Sequence, residues 1–240
     1  MIVIKQAIVL AGGLGTRLRN RVPDLPKCLA PVSGKPFLDY LINYFLSRGI
    51  YEFIFAVGYK KEKILEYLKT LPASIPWQIS EESEPLGTGG AIRKACRLAG
   101  HEQILVLNGD SIFEINPERL SRQHSHTNAD CTLALKHMIH ADRYGLVNLD
   151  TELHVSSFME KTPNATGLIN GGIYALNVEA LLSRQLPEKF SFEKDFLEKE
   201  YPAGKIFGQV QEGYFIDIGV PEDYERAQTE LPQQIKDWHA

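Results

Sequence analysis

A glycine-rich segment near the N-terminus carries residue types that could bind phosphate. Residues 10–19 read Leu-Ala-Gly-Gly-Leu-Gly-Thr-Arg-Leu-Arg and complete the apolar, strand-like run 7–10. Glycine permits close approach of the backbone, and successive N–H groups in such a turn form an anion-binding nest. Arg17 adds a planar guanidinium group whose donors suit phosphate oxygens. The segment therefore predicts a polyphosphate site.

Two well-known phosphate-binding motifs do not fit this segment. A Walker A loop has a Lys-Ser or Lys-Thr pair after its last glycine, whereas Thr16 and Arg17 follow Gly15 here. A dinucleotide-binding fingerprint that starts at Gly13 needs a further glycine where Leu18 stands. The remaining alternative is a glycine-rich turn with a structural role alone.

A lysine downstream favours the phosphate-binding interpretation. Lys27 lies between Pro26 and Pro31, and the two prolines stiffen the chain around it. Most lysines are simply solvated, and a Pro-Lys dipeptide alone means little. A lysine on a rigid loop soon after a glycine nest is nevertheless well placed to reach a triphosphate.

Two aspartates are candidate ligands of a cation. Asp110 follows the apolar run 103–107 and the pair Asn108-Gly109, and Asp217 lies between apolar residues of the segment 215–219. A lone Asn-Gly-Asp is commonly just a turn. A second carboxylate, which lies in an apolar strand, favours a cation site over a simple turn. Burying this carboxylate alone would cost free energy, and a bound cation would offset that cost. Carboxylates are the ligands that hard divalent cations prefer.

Three further segments have both a structural and a functional interpretation. Residues 82–91, Glu-Ser-Glu-Pro-Leu-Gly-Thr-Gly-Gly-Ala, form either a capped helix start or a wall against which a base can lie. Glu160 and Lys161, taken alone, form the kind of pair that is usually solvated. Asn170 precedes two glycines, and its structural interpretation is a turn before a strand. Its functional interpretation is a contact with sugar hydroxyls, since an amide both donates and accepts hydrogen bonds. Ser191 is a helix N-cap with acidic residues after it, for which the structural account suffices.

The order of strand-like and helical segments that must position these residues predicts an α/β fold. The first 110 residues alternate as β-α-β-α-β-α-β, which indicates a mainly parallel sheet covered on both sides, with ligands at the carboxyl ends of its strands. The second half reads mostly as strands, so the whole sheet is mixed. We expect one domain over residues 1–240. The predicted strands are 6–10, 51–57, 77–80, 103–107, 131–136, 145–149, 155–158, 172–176, 205–210 and 214–218, and the predicted helices are 37–48, 60–68, 89–98, 191–200 and 221–231.

Composition excludes several classes of protein. Of the 240 residues, 44% are hydrophobic and 23% are charged, and the net charge of −4 argues against a nucleic-acid partner. No apolar stretch approaches the ~20 residues of a membrane span, and no signal segment is evident. Cysteines at 28, 96 and 131 show neither a disulfide nor a zinc pattern, so we expect a cytoplasmic protein. The histidines lack metal-ligand spacing, and we expect His124 and His126 at a polar helix end.

The motif Gly-Gly-x-Gly-Thr-Arg-Leu, followed by Pro-Lys-x-Leu-x-Pro-Val, resembles the nucleotide-binding signature of the sugar-1-phosphate nucleotidyltransferases. The resemblance extends over nearly the whole chain and implies their Rossmann-like, glycosyltransferase A-like fold. It implies transfer of a nucleoside monophosphate to a sugar 1-phosphate, with Arg17, Lys27, Asp110 and Asp217 as catalytic residues. It also implies Mg²⁺ as the cofactor, held by Asp110 and Asp217.

The resemblance further implies two sets of binding residues. A nucleotide-binding half, residues 1–110, would use Leu10, Ala11, Gly12, Gly13, Gly15, Thr16, Glu82, Pro85, Gly87, Thr88, Asn108 and Gly109. A sugar-phosphate-binding half, residues 111–240, would use Tyr144, Gly145, Glu160, Lys161, Asn170 and Gly171. Thr162 departs from the family pattern, in which proline often follows the lysine.

Within the family, the chain is most similar to the D-glycero-α-D-manno-heptose 1-phosphate guanylyltransferases. This resemblance implies GTP and a heptose 1-phosphate as substrates and a nucleotide-sugar for surface polysaccharides as product. Mannose-1-phosphate guanylyltransferase and the short uridylyl- or thymidylyltransferases stay open as alternatives. So does a different class, an inactive subunit that senses nucleotide-sugars, although the four catalytic positions are all retained. Formation of a homo-oligomer also stays open.

Overall fold

The computed structural model describes residues 4–13, 18 and 21–238. In chain order the strands are β1 (Gln6–Leu10), β2 (Pro31–Val32), β3 (Lys35–Pro36), β4 (Glu52–Val57), β5 (Trp77–Glu81), β6 (Gln103–Asn108), β7 (Ser111–Phe113), β8 (Cys131–Met138), β9 (Leu146–Leu149), β10 (Val155–Met159), β11 (Gly167–Asn177), β12 (Ile206–Val210) and β13 (Phe215–Asp217). The α-helices are α1 (Phe37–Ser47), α2 (Lys61–Leu68), α3 (Gly87–Cys96), α4 (Pro117–Thr127), α5 (Val178–Leu182), α6 (Glu198–Glu200) and α7 (Pro221–Trp238). A π-helix, Phe192–Leu197, directly precedes α6.

The central sheet is mixed, as predicted. Its path runs β10-β9-β11-β6-β1-β4-β5, with β8 paired to β11 and β12 paired to β8. The strands of the first half pair in parallel, β6 with β1, β1 with β4 and β4 with β5. Antiparallel pairs enter with β11, which lies against β6, β8 and β9. The predicted change of character near residue 110 is therefore the point after which antiparallel pairs enter the sheet, although β12 still pairs in parallel with β8.

Helices cover both faces of the sheet because its strands are apolar on both sides. On one face, Val9, Phe55 and Leu107 belong to a core that includes residues of α1, α2 and α7. On the other face, Ile8 and Val106 belong to a core that includes residues of α3, α5 and the π-helix. Such continuous apolar strands are typical of parallel sheets covered on both sides.

The carboxyl ends of four parallel strands meet at one edge of the sheet. Ala11 follows β1, Gly58 follows β4, Glu82 follows β5 and Gly109 follows β6. Backbone hydrogen bonds join these ends: Ala11 N–H donates to Ala56 O at 2.9 Å, and Gly109 N–H donates to Leu10 O at 3.0 Å. This is the edge at which open α/β sheets bind their ligands.

Most predicted elements are present, but several boundaries were wrong. The predicted strand 172–176 is the C-terminal half of the longer β11. The elements α5, β2, β3 and β7 were not predicted, and only the end of α4, at His124 and His126, was expected. Helix α7 continues past Leu231 and through Pro232, although an internal proline removes a helix hydrogen bond. Packing offsets this cost, since the Trp238 ring lies 5.1 Å from that of Tyr44 and its Nε1–H donates to Glu114 Oε1 at 2.7 Å.

The expected polar setting of His124 is also wrong. Both His124 and His126 lie in the last turn of α4, but His124 is fully buried. Its Nδ1 lies 2.9 Å from Thr132 Oγ1, and within the described residues its Nε2 has no hydrogen-bond partner. Burial lowers the pKa of His124 to about 4. The histidine is thus a neutral core residue beneath β8.

The remaining sequence-level expectations concern cysteines and membranes. Cys28, Cys96 and Cys131 are each buried with a free thiol, and burial raises the pKa of Cys28 and Cys96 to about 12. In residues 4–13, 18 and 21–238, no helix combines the length and apolar character needed to cross a membrane.

Candidate active site

A two-stranded sheet brings the two predicted aspartates together. Asp110 lies between β6 and β7, and Asp217 is the last residue of β13. Strands β7 and β13 pair antiparallel, with Asp217 opposite Ser111, and Ile218 N–H donates to the backbone oxygen of Asp110 at 3.0 Å. Two carboxylates that are 107 positions apart in the chain therefore face the same ammonium group, that of Lys27.

Lys27 lies between the two carboxylates. Its Nζ donates to Asp110 Oδ2 at 2.6 Å and to Asp217 Oδ1 at 3.4 Å, and its side chain is 12% exposed. The lysine begins a short 3-10 helix whose next residues, Cys28 and Leu29, are buried and anchor the turn. Burial, and then the charge of Asp110, raises the pKa of Asp217, and Lys27 and the N–H of Gly219 oppose that rise.

The composition of this cluster fits a divalent cation with oxygen ligands. Two carboxylates and one ammonium leave an excess negative charge. Within the described residues, no group of three or more His, Cys, Asp or Glu side chains could hold a metal by itself. Mg²⁺ commonly binds through one or two carboxylates and completes its coordination with water and substrate phosphates. Asp110 and Asp217 are such a pair.

The first cavity lies at the carboxyl ends of the parallel strands and has a volume of about 630 Å³. Every described residue of the predicted nucleotide-binding set lines it, as do Lys27 and Asp110. These lining residues are Leu10, Ala11, Gly12, Gly13, Glu82, Pro85, Gly87, Thr88, Asn108 and Gly109. Gly15, Thr16 and Arg17, the other residues predicted here, lie outside the described residues.

The second cavity has a volume of about 480 Å³ and lies beside the antiparallel part of the sheet. The whole predicted sugar-phosphate-binding set lines it, namely Tyr144, Gly145, Glu160, Lys161, Asn170 and Gly171. Asp217 lines this cavity, and Asp110 lines both cavities. The two cavities therefore meet at the carboxylate cluster.

Gly109 and Gly172 allow the close contacts that shape this junction. A Cβ atom at Gly109 would collide with Leu10 O, so only glycine lets the Asp110 turn cross the end of β1. Gly172 has φ +73°, and a Cβ atom there would lie 2.5 Å from Asn108 Nδ2. Gly109 thus brings the backbone next to Asp110 against β1, and Gly172 brings that of β11 against Asn108.

Asn170 lies at a β-bulge rather than in a turn before a strand. The register of β11 against β8 shifts between Asn170 and Tyr174. Asn170 Oδ1 accepts the N–H of Gly172 at 3.0 Å, and its Nδ2 donates to Tyr174 OH at 2.8 Å. Bulges re-aim side chains and are common next to active sites. The bulge directs this amide into the second cavity.

The Arg143-Tyr144 loop on the other side of the second cavity is attached to helix α7. Arg143 pairs with the buried carboxylate of Asp223, in the first turn of α7. Tyr144 packs edge-on against Phe215, with ring centroids 6.0 Å apart, and burial raises its pKa to about 12. Arg143, which was not among the predicted site residues, also lines the cavity.

Glu193 is the most informative residue that the sequence analysis missed. It lines both cavities, and its carboxylate accepts a hydrogen bond from Thr88 Oγ1 at 2.9 Å. In the sequence it follows a helix cap, where acidic residues are common for structural reasons alone. No local signal distinguishes it from Asp195, which stays outside both cavities.

The chain is similar in sequence to several known guanylyltransferases. The chain is 45% identical over 230 residues to a D-glycero-alpha-D-manno-heptose 1-phosphate guanylyltransferase of Aneurinibacillus thermoaerophilus. The aligned residues cover 96% of this chain and 100% of that protein. This chain is 48% identical over 219 residues to a protein of the same name from Campylobacter jejuni, covering 91% and 96% of the two chains. A mannose-1-phosphate guanylyltransferase of Mycobacterium tuberculosis is 31% identical and covers 95% of this chain and 65% of that protein.

Solved structures show the same fold. The crystal structure of HddC from Yersinia pseudotuberculosis superposes with a TM-score of 0.83 at 36% identity, covering 94% of this chain and 98% of that one, and it has also been solved with GMP-PN. The model of the nucleotidyl transferase family matches residues 6–234. The chain therefore belongs to the nucleotidyl transferase family.

Proposed function

We propose that this protein transfers a guanylyl group from GTP to D-glycero-α-D-manno-heptose 1-phosphate and releases pyrophosphate. The observation that carries the proposal is the cluster of Lys27, Asp110 and Asp217 at the meeting point of two cavities. A nucleoside triphosphate and a sugar 1-phosphate are both anions, so the place where they react must neutralise negative charge. The names of the two relatives that are 45% and 48% identical support the choice of substrates.

The two cavities bind different substrates, and each is formed mainly by one half of a single domain. Residues 1–110 form the nucleotide-binding half, and residues 111–240 form the sugar-phosphate-binding half. The residues that line each cavity follow this division, apart from a few at the junction such as Asn108 and Glu193. In the second cavity, Lys161 is the cation that holds the sugar phosphate, and its exposed side chain leaves it free to move toward that group.

The reaction needs charge neutralisation more than a base. A phosphate monoester has a second pKa near ~6, so the attacking oxygen of the sugar phosphate is already anionic at neutral pH. It attacks the α-phosphorus of GTP, the bond from that phosphorus to the α–β bridging oxygen breaks, and pyrophosphate takes the electron pair. Lys27 and Arg17 stabilise the charge of the triphosphate and the leaving group, and the two cavities hold the reactants in line.

Asp110 and Asp217 are the residues that would hold Mg²⁺. The ion, when bound, supplies Lewis-acid stabilisation to phosphate oxygens. The carboxylates would supply its protein ligands, and the hydrogen bonds from Lys27 Nζ orient the two side chains toward each other. We place the enzyme in the cytoplasm, where it would make the GDP-heptose used for surface polysaccharides.

Glu82 supplies the chemistry needed to recognise guanine. It lies in the first cavity after β5, and burial raises its pKa. Its Oε2 accepts the N–H of Leu86 at 2.9 Å, whereas Oε1 lies next to Gly12 and Gly58. Guanine presents N–H donors on its edge, and an ionised carboxylate only accepts hydrogen bonds. Glu82 therefore selects guanine over a base with acceptors at the same place.

Replacing Glu82 by glutamine should weaken the preference for GTP. The amide presents a donor to the donors of guanine, which costs about 1–3 kcal/mol, or roughly 10- to 100-fold in kcat/KM for GTP. Turnover with UTP should change by less, so the GTP-to-UTP ratio falls. Glu81→Gln is the matched control, since Glu81 pairs with Lys61 and does not line the cavity. An unchanged ratio in Glu82→Gln would show that another residue selects the base.

Pyrophosphate release from a substrate panel tests the proposed function. The protein is mixed with Mg²⁺, one of GTP, ATP, UTP, CTP or dTTP, and one of the 1-phosphates of D-glycero-α-D-manno-heptose, mannose or glucose. We expect turnover with GTP and the heptose 1-phosphate to exceed that of every other pair. Preference for mannose 1-phosphate would reassign the sugar, and preference for UTP or dTTP would reassign the base. No turnover with any pair would support an inactive, nucleotide-sugar-sensing protein instead.

A further inference from the structure

The π-helix presents Glu193 as a rigid group between the two cavities. Ser191 Oγ accepts the N–H of Lys194 at 3.2 Å, and Asp195 Oδ2 accepts the N–H of Ser191 at 2.9 Å. Beneath the turn, the buried rings of Phe192 and Phe196 stack with centroids 5.2 Å apart. π-Helices are rare and occur frequently at functional sites. The start of the turn is therefore held by two hydrogen bonds to Ser191 and by the stacked rings beneath it.

The same turn is attached directly to the nucleotide cavity. Phe190 N–H donates to Leu86 O at 3.0 Å, and Gly89 N–H donates to Phe190 O at 3.0 Å. The Thr88 hydroxyl accepts the N–H of Phe192 at 2.9 Å and donates to Glu193 Oε2 at 2.9 Å. Thr88, predicted to bind nucleotide, thus has its proton engaged with Glu193.

The two oxygens of Glu193 differ in how much acceptor capacity they retain. Oε2 accepts from Thr88 Oγ1 and from Ser191 Oγ, at 2.9 and 3.2 Å. Within the described part of the chain, Oε1 accepts one side-chain hydrogen bond, a long one of 3.4 Å from Tyr174 OH. A carboxylate oxygen can accept two hydrogen bonds. Oε1 therefore retains capacity on the side of the second cavity where Tyr174 and Asn170 lie.

We propose that Glu193 Oε1 accepts a hydrogen bond from a hydroxyl group of the acceptor sugar, with Thr88 positioning the carboxylate from the nucleotide side. This inference rests on the proposed function and names a residue that selects the sugar. A hydroxyl bonded to a carboxylate forms a charge-assisted hydrogen bond. A site built for such a bond rejects an analogue without the hydroxyl, because the carboxylate is then left without its donor.

Steady-state kinetics with monodeoxy analogues of the heptose 1-phosphate test the inference. Wild-type enzyme should use at least one monodeoxy analogue roughly 10- to 100-fold less well than the parent sugar. Glu193→Ala should lower kcat/KM for the parent sugar by a similar factor and use that analogue about as well as the parent. Glu193→Gln should restore part of the discrimination, since its amide oxygen still accepts. The KM for GTP should stay within about twofold of wild type.

Asp195→Asn is the control for damage to the turn. It weakens the bond to Ser191 N–H but lies outside both cavities, so thermal stability should fall while discrimination among the analogues stays at the wild-type level. If Glu193→Ala discriminates as wild type does, or if Asp195→Asn loses discrimination equally, the inference is wrong.

Calorimetric titration with the sugar 1-phosphates keeps the inference separate from the proposed function. A wild-type protein that releases no pyrophosphate would overturn the function alone. Binding of the heptose 1-phosphate, measured with a non-hydrolysable GTP analogue present, should still weaken roughly 10-fold or more in Glu193→Ala. Equal affinity in both proteins, or no binding to either, would overturn the role of Glu193.

Discussion

Asp110→Asn and Asp217→Asn should each reduce turnover by about 10³-fold or more while the protein remains folded. Stabilisation by a bound Mg²⁺ amounts to several kcal/mol, and each 1.36 kcal/mol corresponds to a factor of about ten in rate. Asparagine keeps the shape of aspartate but loses the charge that attracts the cation. The residual activity should require a much higher Mg²⁺ concentration, which titration of kcat against Mg²⁺ measures.

The fold should tolerate these two changes because neither side chain is part of the hydrophobic core. The carboxylate of Asp217 is itself unfavourable in the folded protein, since burial and Asp110 raise its pKa. Thermal melting should therefore show native-like unfolding for Asp217→Asn without Mg²⁺. The stabilisation that wild type gains from Mg²⁺ and GTP together should largely disappear.

Asp130→Asn provides a matched control for the Asp110 and Asp217 variants. Asp130 is also a partly buried, ion-paired aspartate, with Arg184 Nη2 at 2.7 Å, but it lies outside both cavities. It should lose some stability and keep its turnover and Mg²⁺ requirement. Retention of more than a tenth of wild-type kcat at saturating Mg²⁺ by either site variant would remove that aspartate from the metal site.

Lys27→Met should lower kcat by roughly 10²- to 10³-fold. This is the usual cost of losing one preorganised group that stabilises the negative charge developing in the transition state. The effect on KM should be smaller, because the lysine acts mainly where charge builds on the leaving pyrophosphate. Lys69→Met, an exposed lysine after α2, is the control and should leave kcat unchanged. A kcat within threefold of wild type would show that Lys27 only orients the two aspartates.

The same variant should change stability in a pH-dependent way. Loss of the ammonium leaves Asp110 and Asp217 close together without compensation, which we expect to cost about 1–2 kcal/mol at neutral pH, allowing for partial solvent exposure. The pKa of Asp217, already raised, should rise further, so the cost is present above that pKa and is relieved as the pH falls through it. Urea unfolding without Mg²⁺ at neutral and acidic pH measures this. An equal loss at both would show that the two carboxylates do not repel each other.

The contrast between Asp110 and Glu193 shows what could be predicted. Asp110 follows an apolar strand at a glycine, and strand ends are where α/β sheets bind ligands, so its position in the chain already indicates its place at the site. Glu193 follows a helix cap, and that setting explains an acidic residue without any ligand. Its place between the cavities depends on contacts with Thr88 and Tyr174, 105 and 19 positions away in the chain.

The same distinction applies to the elements of the fold. Strands β1, β4 and β6 were predicted closely because their apolar runs and the glycines near them are local signals. The extension of α7 through Pro232 was missed because local propensity argues against it, and packing of Trp238 on Tyr44 decides the outcome. His124 was misplaced because its neighbours in the helix are polar, whereas the sheet beneath the helix is not.

The sequence by itself indicated the fold class and the candidate cation ligands, because alternating apolar runs and strand-end carboxylates are local features, and its resemblance to a known family implied most of the residues that line the two cavities. Only the tertiary structure decided that Asp110 and Asp217 share Lys27, that Asn170 lies on a bulge and that Glu193 joins the two cavities. Each of these depends on pairing between distant segments, chiefly β7 with β13 and β11 with β8. The free energy of such pairing comes from burial across the whole sheet, which no short stretch of residues encodes.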